Sequence, residues 1–184
     1  TDGAAMTGRF TANDGQDYNA DDKGELITNT AQWVVRDGKR YFISAEGHMY
    51  RNQFISFGPY RFYMGADGSV QTGVYRTADG ILYYSDDSGE LVQKAQWITL
   101  NGKRYFSNAD GKLYMNQFIS FGPHRFYMSY DGSASTGIFA ANDGNLYHAD
   151  ASGEIVQKAQ WINLNGKRYF SNADGELYRN QFIS

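Results

Sequence analysis

The sequence has no cysteine, only two prolines, and no apolar run long enough to cross a bilayer as a helix. Without cysteine, a disulfide framework and a thiolate metal site are both excluded. Charge of one sign is also missing. Lys and Arg total 17 against 20 Asp and Glu, a formal net charge of −3, and the basic residues are spread along the chain. A nucleic-acid partner needs a clustered basic face, so none is expected, and neither is membrane insertion. Helical periodicity of useful length is absent. No secretory leader is recognisable, and the first residue is Thr rather than Met.

What the chain does have is aromatic residues, glycine and repetition. It carries 15 Tyr, 12 Phe and 21 Gly. The three tryptophans, Trp33, Trp97 and Trp161, lie 64 residues apart. Residues 94–120 and 158–184 differ at only three of 27 positions: Thr99/Asn163, Lys112/Glu176 and Met115/Arg179. Self-similarity of this kind points to a repeat architecture. TDGAAMTG at 1–8 matches ADGSVQTG at 66–73, and the terminal NQFIS matches 52–56 and 116–120. A longer array is therefore expected to continue around this segment.

Each 64-residue unit divides into three hairpins, and the turns state their own geometry. Asp37-Gly38, Asn101-Gly102 and Asn165-Gly166 predict type I′ turns, where both central residues need positive φ. Gly58-Pro59 and Gly122-Pro123 fit type II′. Ala78-Asp79-Gly80 and Asn142-Asp143-Gly144 fit three-residue loops with Gly left-handed. Turn type sets register. Leu100 then faces Lys103, Thr99 faces Arg104, Ile98 faces Tyr105 and Trp97 faces Phe106. The more apolar face is expected to be core: Ile98 and Tyr105 in this hairpin, and Ile55, Phe57, Tyr60 and Phe62 in the preceding one. The opposite face mixes an aromatic ring, an arginine and a hydroxyl. A lone hairpin is marginal in water, so hairpins must stack on one another.

The stretch GKRYFSNADG at 102–111, followed by an apolar strand one hairpin later, resembles the cell-wall-binding repeat family. That family includes choline-binding repeats, glucan-binding repeats and the C-terminal receptor-binding repeats of clostridial toxins. Residues 69–89, SVQTGVYRTADGILYYSDDSG, are similar to the longer toxin repeats. The resemblance covers nearly the whole chain. It implies an all-β fold, a β-solenoid of stacked hairpins with about three hairpins per 64-residue turn. Residues 1–184 would form one array, with units near 10–32, 33–53, 54–73, 74–96, 97–117, 118–137, 138–160 and 161–184. The tryptophans would line up in a column.

Choline recognition in the family uses an aromatic cage whose second Trp precedes the returning aromatic pair. Here that position holds Arg40, Arg61, Leu82, Arg104, Arg125, Leu146 or Arg168. A guanidinium repels a quaternary ammonium but suits a glycan, to which it can donate several hydrogen bonds. The candidate ligand residues are therefore Trp33, Trp97 and Trp161 as stacking platforms, Arg40, Arg104 and Arg168 as donors, and Tyr63 and Tyr127 beside them. Their structural alternative is packing between hairpins, with arginines covering rings.

Asp21, Asp22, Asp86, Asp87 and Asp150 lie near glycine turns, where Asx-turn chemistry competes with calcium binding. His48, His124 and His148 occupy three different repeat positions without metal spacing. No metal or cofactor is expected. No catalytic constellation stands out, so this segment is expected to be non-catalytic, with any catalytic domain elsewhere in a longer parent. The expected role is carbohydrate or cell-wall attachment of a secreted or surface protein, from a Gram-positive bacterium by the resemblance. The alternatives are a spacer or protein-interaction arm, and then a choline-binding anchor. Open strand edges at the two ends predict head-to-tail self-association.

Overall fold

The computed structural model describes residues 4–27 and 31–179. The outermost residues, where the head-to-tail expectation falls, and the ends of the first and last units at 28–30 and 180–184 lie outside the described residues. The described chain is all-β. Sixteen strands pair as eight two-stranded antiparallel hairpins.

The chain forms two compact units, with the boundary between Val92 and Gln93. The first unit contains β1 (Gly8–Thr11) with β2 (Asp17–Ala20), and β3 (Gln32–Arg36) with β4 (Lys39–Ile43). It also contains β5 (Gln53–Phe57) with β6 (Tyr60–Met64), and β7 (Gly73–Arg76) with β8 (Leu82–Ser85). The second contains β9 (Gln96–Leu100) with β10 (Lys103–Ser107), and β11 (Gln117–Phe121) with β12 (His124–Met128). Its last two hairpins are β13 (Gly137–Ala140) with β14 (Leu146–Ala149), and β15 (Gln160–Leu164) with β16 (Lys167–Ser171).

The turns take the predicted geometry. Asp37 and Gly38 have φ of 48° and 72°, and Asn101 and Gly102 have 50° and 74°, as a type I′ turn needs. Gly58 and Gly122, at 60° and 58°, open the type II′ turns. The register follows, pairing Trp97 with Phe106, Ile98 with Tyr105 and Thr99 with Arg104. Left-handed φ at Asn52 and Asn116, both 50°, was not expected from the sequence. They stand just before β5 and β11, where Gly73 and Gly137 stand at the start of β7 and β13. Asn is the non-glycine residue that best tolerates this conformation.

After each hairpin a second tight turn folds the connector back on the returning strand. Ile43 bridges Met49, Met64 bridges Val70, Ser107 bridges Leu113 and Met128 bridges Ala134. The residues on the strand side, Ile43, Met64, Ser107 and Met128, are wholly buried. The buried Ser107 hydroxyl is satisfied by donating to the Lys94 carbonyl at 2.6 Å. Connectors also dock on earlier hairpins. Tyr41 bridges Ser69 and Phe62 bridges Glu90 in the first unit, and Tyr105 bridges Ser133 and Phe126 bridges Glu154 in the second. Stacking thus uses main-chain bonds as well as side chains.

One expectation needs correction. Ile98, Tyr105 and Phe62 are buried as predicted, but Phe57 and Tyr60 on the same apolar face are 38% and 51% exposed. Tyr63, on the mixed face, is only 4% exposed. In the β5–β6 and β11–β12 hairpins, depth follows distance from the tip as well as face: the last three residues of the returning strand are buried and the tip pairs are exposed. In the second unit, Ile119, Phe126 and Met128 form one core cluster with Trp97, Phe106 and Tyr114 packed on it.

Candidate functional site

The tryptophan face of the first two Trp hairpins is filled by the protein itself. Trp33 meets Phe42 at 5.2 Å and Phe62, from the next hairpin, at 5.0 Å between ring centroids. Trp97 repeats this with Phe106 at 5.2 Å and Phe126 at 4.8 Å. These are edge-on contacts, the arrangement aromatic quadrupoles favour. The Arg opposite each platform then lies over the indole: Arg40 at 4.5 Å from Trp33, Arg104 at 4.1 Å from Trp97 and Arg168 at 4.2 Å from Trp161. Cross-strand register explains the meeting, because the Arg lies diagonal to the Trp on the returning strand, two pairs nearer the tip. Trp33 and Trp97 are half-buried, whereas Trp161 is 49% exposed.

The two flanking tyrosines occupy a different place from the one expected. Tyr63 and Tyr127 are each 4% exposed, and their hydroxyls accept the Ala78 and Asn142 backbone N–H at 3.0 Å. Tyr63 stacks on Tyr75 at 5.5 Å, and Tyr127 on Phe139 at 5.4 Å. Their faces are consumed by packing and their hydroxyls by the following turn. Neither ring can hold a sugar, and both are corrected to structural residues.

Arg40 and Arg104 reach further. Their Nη1 atoms donate to the Ser88 and Ser152 carbonyls, both at 2.6 Å, in the connector two hairpins later. Both partners of each bond line an open groove. In the first unit a groove of about 600 Å³ is lined by Lys39, Arg40, Asp67, Gln71, Thr72 and Ser88, among others. In the second unit a groove of about 210 Å³ is lined by Lys103, Arg104, Ser133, Ser135, Thr136 and Ser152. Lys39/Lys103, Arg40/Arg104, Thr72/Thr136 and Ser88/Ser152 are the same residues 64 positions apart. A third groove, about 630 Å³, lies one hairpin on from the second. It joins the tip at Pro123 to the connector at Glu154, Gln157 and Lys158 and to Ala173 in the next connector. The wall formula is constant: one tip and the second and third connectors after it.

An ion pair ties tip to connector at the first two grooves, and a histidine–carboxylate contact does so at the third. Lys39 Nζ lies 2.7 Å from Asp67 Oδ2, and Lys103 Nζ lies 2.7 Å from Asp131 Oδ2. In the third groove His124 Nδ1 and Glu154 Oε1 are 2.7 Å apart. Partial burial pushes the Asp67 and Asp131 carboxyls up. The lysine ammonium and the Ser69 or Ser133 hydroxyl and amide outweigh it and hold both well below the ordinary carboxylate range. Lys39 and Lys103 are raised, first by the hydrogen bond to their Asp. The grooves thus carry fixed, paired charges with abundant hydroxyl and amide groups. The signal for them in the sequence was the identity of tip and connector residues at the 64-residue spacing, not any local motif.

Three of the turn carboxylates are accounted for locally. Asp86 Oδ1 accepts the Ser88 and Glu90 amides at 2.9 and 3.0 Å, and Asp150 Oδ1 accepts those of Ser152 and Glu154 at 2.8 and 3.1 Å. Asp21 does the same for Lys23 and Glu25. These are Asx turns closing the connectors. Among the described residues, no group of three His, Cys, Asp or Glu could hold a metal ion.

Residues 96–113 and 160–177 match the model of the putative cell wall binding repeat. These two hairpins are similar to cell wall binding repeats. Similarity extends beyond them. A glucosyltransferase-S of Streptococcus mutans serotype c is 30% identical over 96% of this chain, which spans 10% of that protein's length. Crystal structures of repeat proteins share the fold. One is CbpF in complex with ipratropium by soaking, at TM-score 0.58 and 25% identity, over 95% of this chain and 60% of that one. Another is the choline-binding domain of CbpL from Streptococcus pneumoniae, at TM-score 0.50 and 22% identity, over 96% of this chain and 100% of that one. The hairpins of this chain and those folds share one stacked-hairpin architecture.

Proposed function

We propose that this chain is a non-catalytic glycan-binding module, attaching a secreted or surface-borne parent protein to a glucan or cell-wall polysaccharide. The observation that carries the reading is the recurrence of one polar groove along the repeats, with the same Lys, Arg, Thr and Ser on its walls. A neutral sugar offers many hydroxyls and no net charge. Paired ions, serine and threonine hydroxyls and glutamine amides match that chemistry, and the Arg forks supply several donors at once. Open grooves bind weakly one at a time, and linked copies raise retention through effective concentration. The family resemblance and the match to streptococcal glucosyltransferases support a polysaccharide partner. Any glycosyl-transfer chemistry would belong to other parts of a longer parent.

A choline anchor is disfavoured by the arginines. Each Trp already holds a cation over its ring, and a quaternary ammonium would have to displace it. The test is affinity electrophoresis through gels containing dextran or purified streptococcal wall polysaccharide. Thr72 and Thr136 are exposed groove residues, so Thr72→Arg and Thr136→Arg should block the grooves without unfolding the chain. Each should reduce retardation and the pair should reduce it more than either. A double variant retarded as strongly as the parent chain would refute the groove reading.

A further inference from the structure

The first hairpin lacks a ring at a register position where the others carry at least one. In β1 and β2, Arg9 pairs with Asn19 there, whereas β3 and β4 pair Trp33 with Phe42 and β7 and β8 pair Val74 with Tyr84. Asn19 is 1% exposed, and its side-chain Nδ2 and Oδ1 both lack a hydrogen-bond partner among the described residues. A buried amide with neither donor nor acceptor satisfied is rare and costly in a native interior. It also does not line empty apolar space. Asn19 borders a cavity of about 240 Å³ whose other walls include Arg9, Val34, Arg36, Asp37 and Tyr41.

The arginines are only partly used. Arg36 Nη2 donates to the Ala20 carbonyl at 3.0 Å, and Arg9 Nη1 donates to the Asp67 carbonyl. Each guanidinium carries five N–H groups. Two cations against the single Asp37 carboxylate leave the cavity positive. Tyr41 and Val34 supply apolar wall. We infer that this cavity is a binding site for one hydroxylated carboxylic acid, of the hexuronic acid class. The carboxylate would take the spare guanidinium N–H groups. With the Asn19 side chain turned toward the cavity, a ring hydroxyl would donate to its Oδ1 and accept from its Nδ2, which satisfies the orphaned amide at both atoms. The volume falls below the roughly 300–1,000 Å³ of pockets for drug-sized ligands, so it suits a single sugar ring rather than a chain segment. The site is separate from the tip-and-connector grooves and does not rest on their assignment.

The experiment is an NMR titration of the whole chain with glucuronate, following the Asn19 side-chain amide. Glucose and inorganic phosphate serve as the neutral and purely anionic comparisons. Saturable shifts with glucuronate are expected, with glucose and phosphate each weaker by about tenfold or more. Asn19→Phe, which restores the ring that Phe42 supplies in the next hairpin, should fill the cavity and abolish the response, read there from the backbone amides around it. Asn19→Asp keeps the side-chain size and adds a like charge, and should also abolish it if the phenylalanine variant does not fold. Glucan retention through the grooves should persist in both variants. The inference is overturned if glucuronate gives no saturation, if glucose or phosphate matches it, or if the response survives in both folded variants.

Discussion

Arg104→Ala tests whether the arginines are part of the fold as well as of the groove. The side chain makes two interactions that alanine removes. One is the guanidinium over Trp97 at 4.1 Å, the other the hydrogen bond to the Ser152 carbonyl at 2.6 Å. A cation over a ring at a partly exposed site contributes about 0.5–1 kcal/mol. A charged hydrogen bond reaches about 1.5–3 kcal/mol when buried, and solvent screening at this exposed carbonyl brings it to about 0.5–1 kcal/mol. The two sum to about 1.5 kcal/mol, and the melting temperature should fall by about 3–6 °C if the chain melts in one transition. Arg104→Lys keeps the charge and loses the planar fork, and should fall between the two. The assay is thermal melting followed by far-ultraviolet circular dichroism, with Arg40→Ala as the copy in the other unit. An unchanged melting temperature in both alanine variants would show that the arginines are spectators of the packing. A second readout concerns choline. Stripping the arginine uncovers the indole, so retention on an immobilised choline resin should appear in the double alanine variant and be weaker in the parent chain. Equal retention of the two would sink the claim that arginine occupies the cation's place.

Two glycines of the second unit separate backbone strain from steric overlap. Gly102 and Gly153 have φ of 74° and 85°, but a Cβ on Gly102 meets nothing within 4 Å, whereas one on Gly153 comes within 2.7 Å of Ala134 Cβ. Gly102→Ala should cost only the left-handed penalty of about 1–2 kcal/mol, and Gly153→Ala distinctly more, as read by denaturant unfolding. Equal costs would count against the tight docking of connector on hairpin. Alkaline stability should depend on Tyr75, whose hydroxyl is pushed up to about 12 by burial, partly opposed by its hydrogen bond to Ser85. Its folded pKa lies above the unfolded value near 10. Its stabilisation is therefore complete below about pH 10 and lost as pH rises toward 12, by about 2–3 kcal/mol in all. Tyr75→Phe should flatten that alkaline limb in a pH series of melts, and an unaltered limb would refute the assignment.

Much of the fold was legible because turns are local. Asn101-Gly102 and Gly58-Pro59 specify their own dihedral angles, the angles specify register, and register specifies which side chains oppose. The 64-residue recurrence then stated that the hairpins form a repeat. The tip residues Phe57 and Tyr60 were misjudged because alternation along a strand reports faces, whereas depth depends on what the neighbouring hairpins cover. Tyr63 and Tyr127 were misplaced for the same reason. Their rings sit at the base of the hairpin, where both faces are covered.

The candidate site divides along the same line. The sequence alone placed an arginine diagonal to each tryptophan, and that pairing holds at 4.1–4.5 Å in all three copies. Only the tertiary structure shows that Arg40 and Arg104 also reach carbonyls 48 residues further on, and that Lys39 meets Asp67 across 28 residues to wall a groove. No spacing rule anticipates those meetings, because they depend on how one hairpin rises onto the next. The same is true of Asn19. In the sequence it is one asparagine among several, and only the packing around it shows a buried, unpartnered amide beside a cavity. Local dihedral preference and side-chain alternation are written residue by residue. Which connector lies against which tip is set by the summed rotation between hairpins, and that quantity belongs to the folded stack.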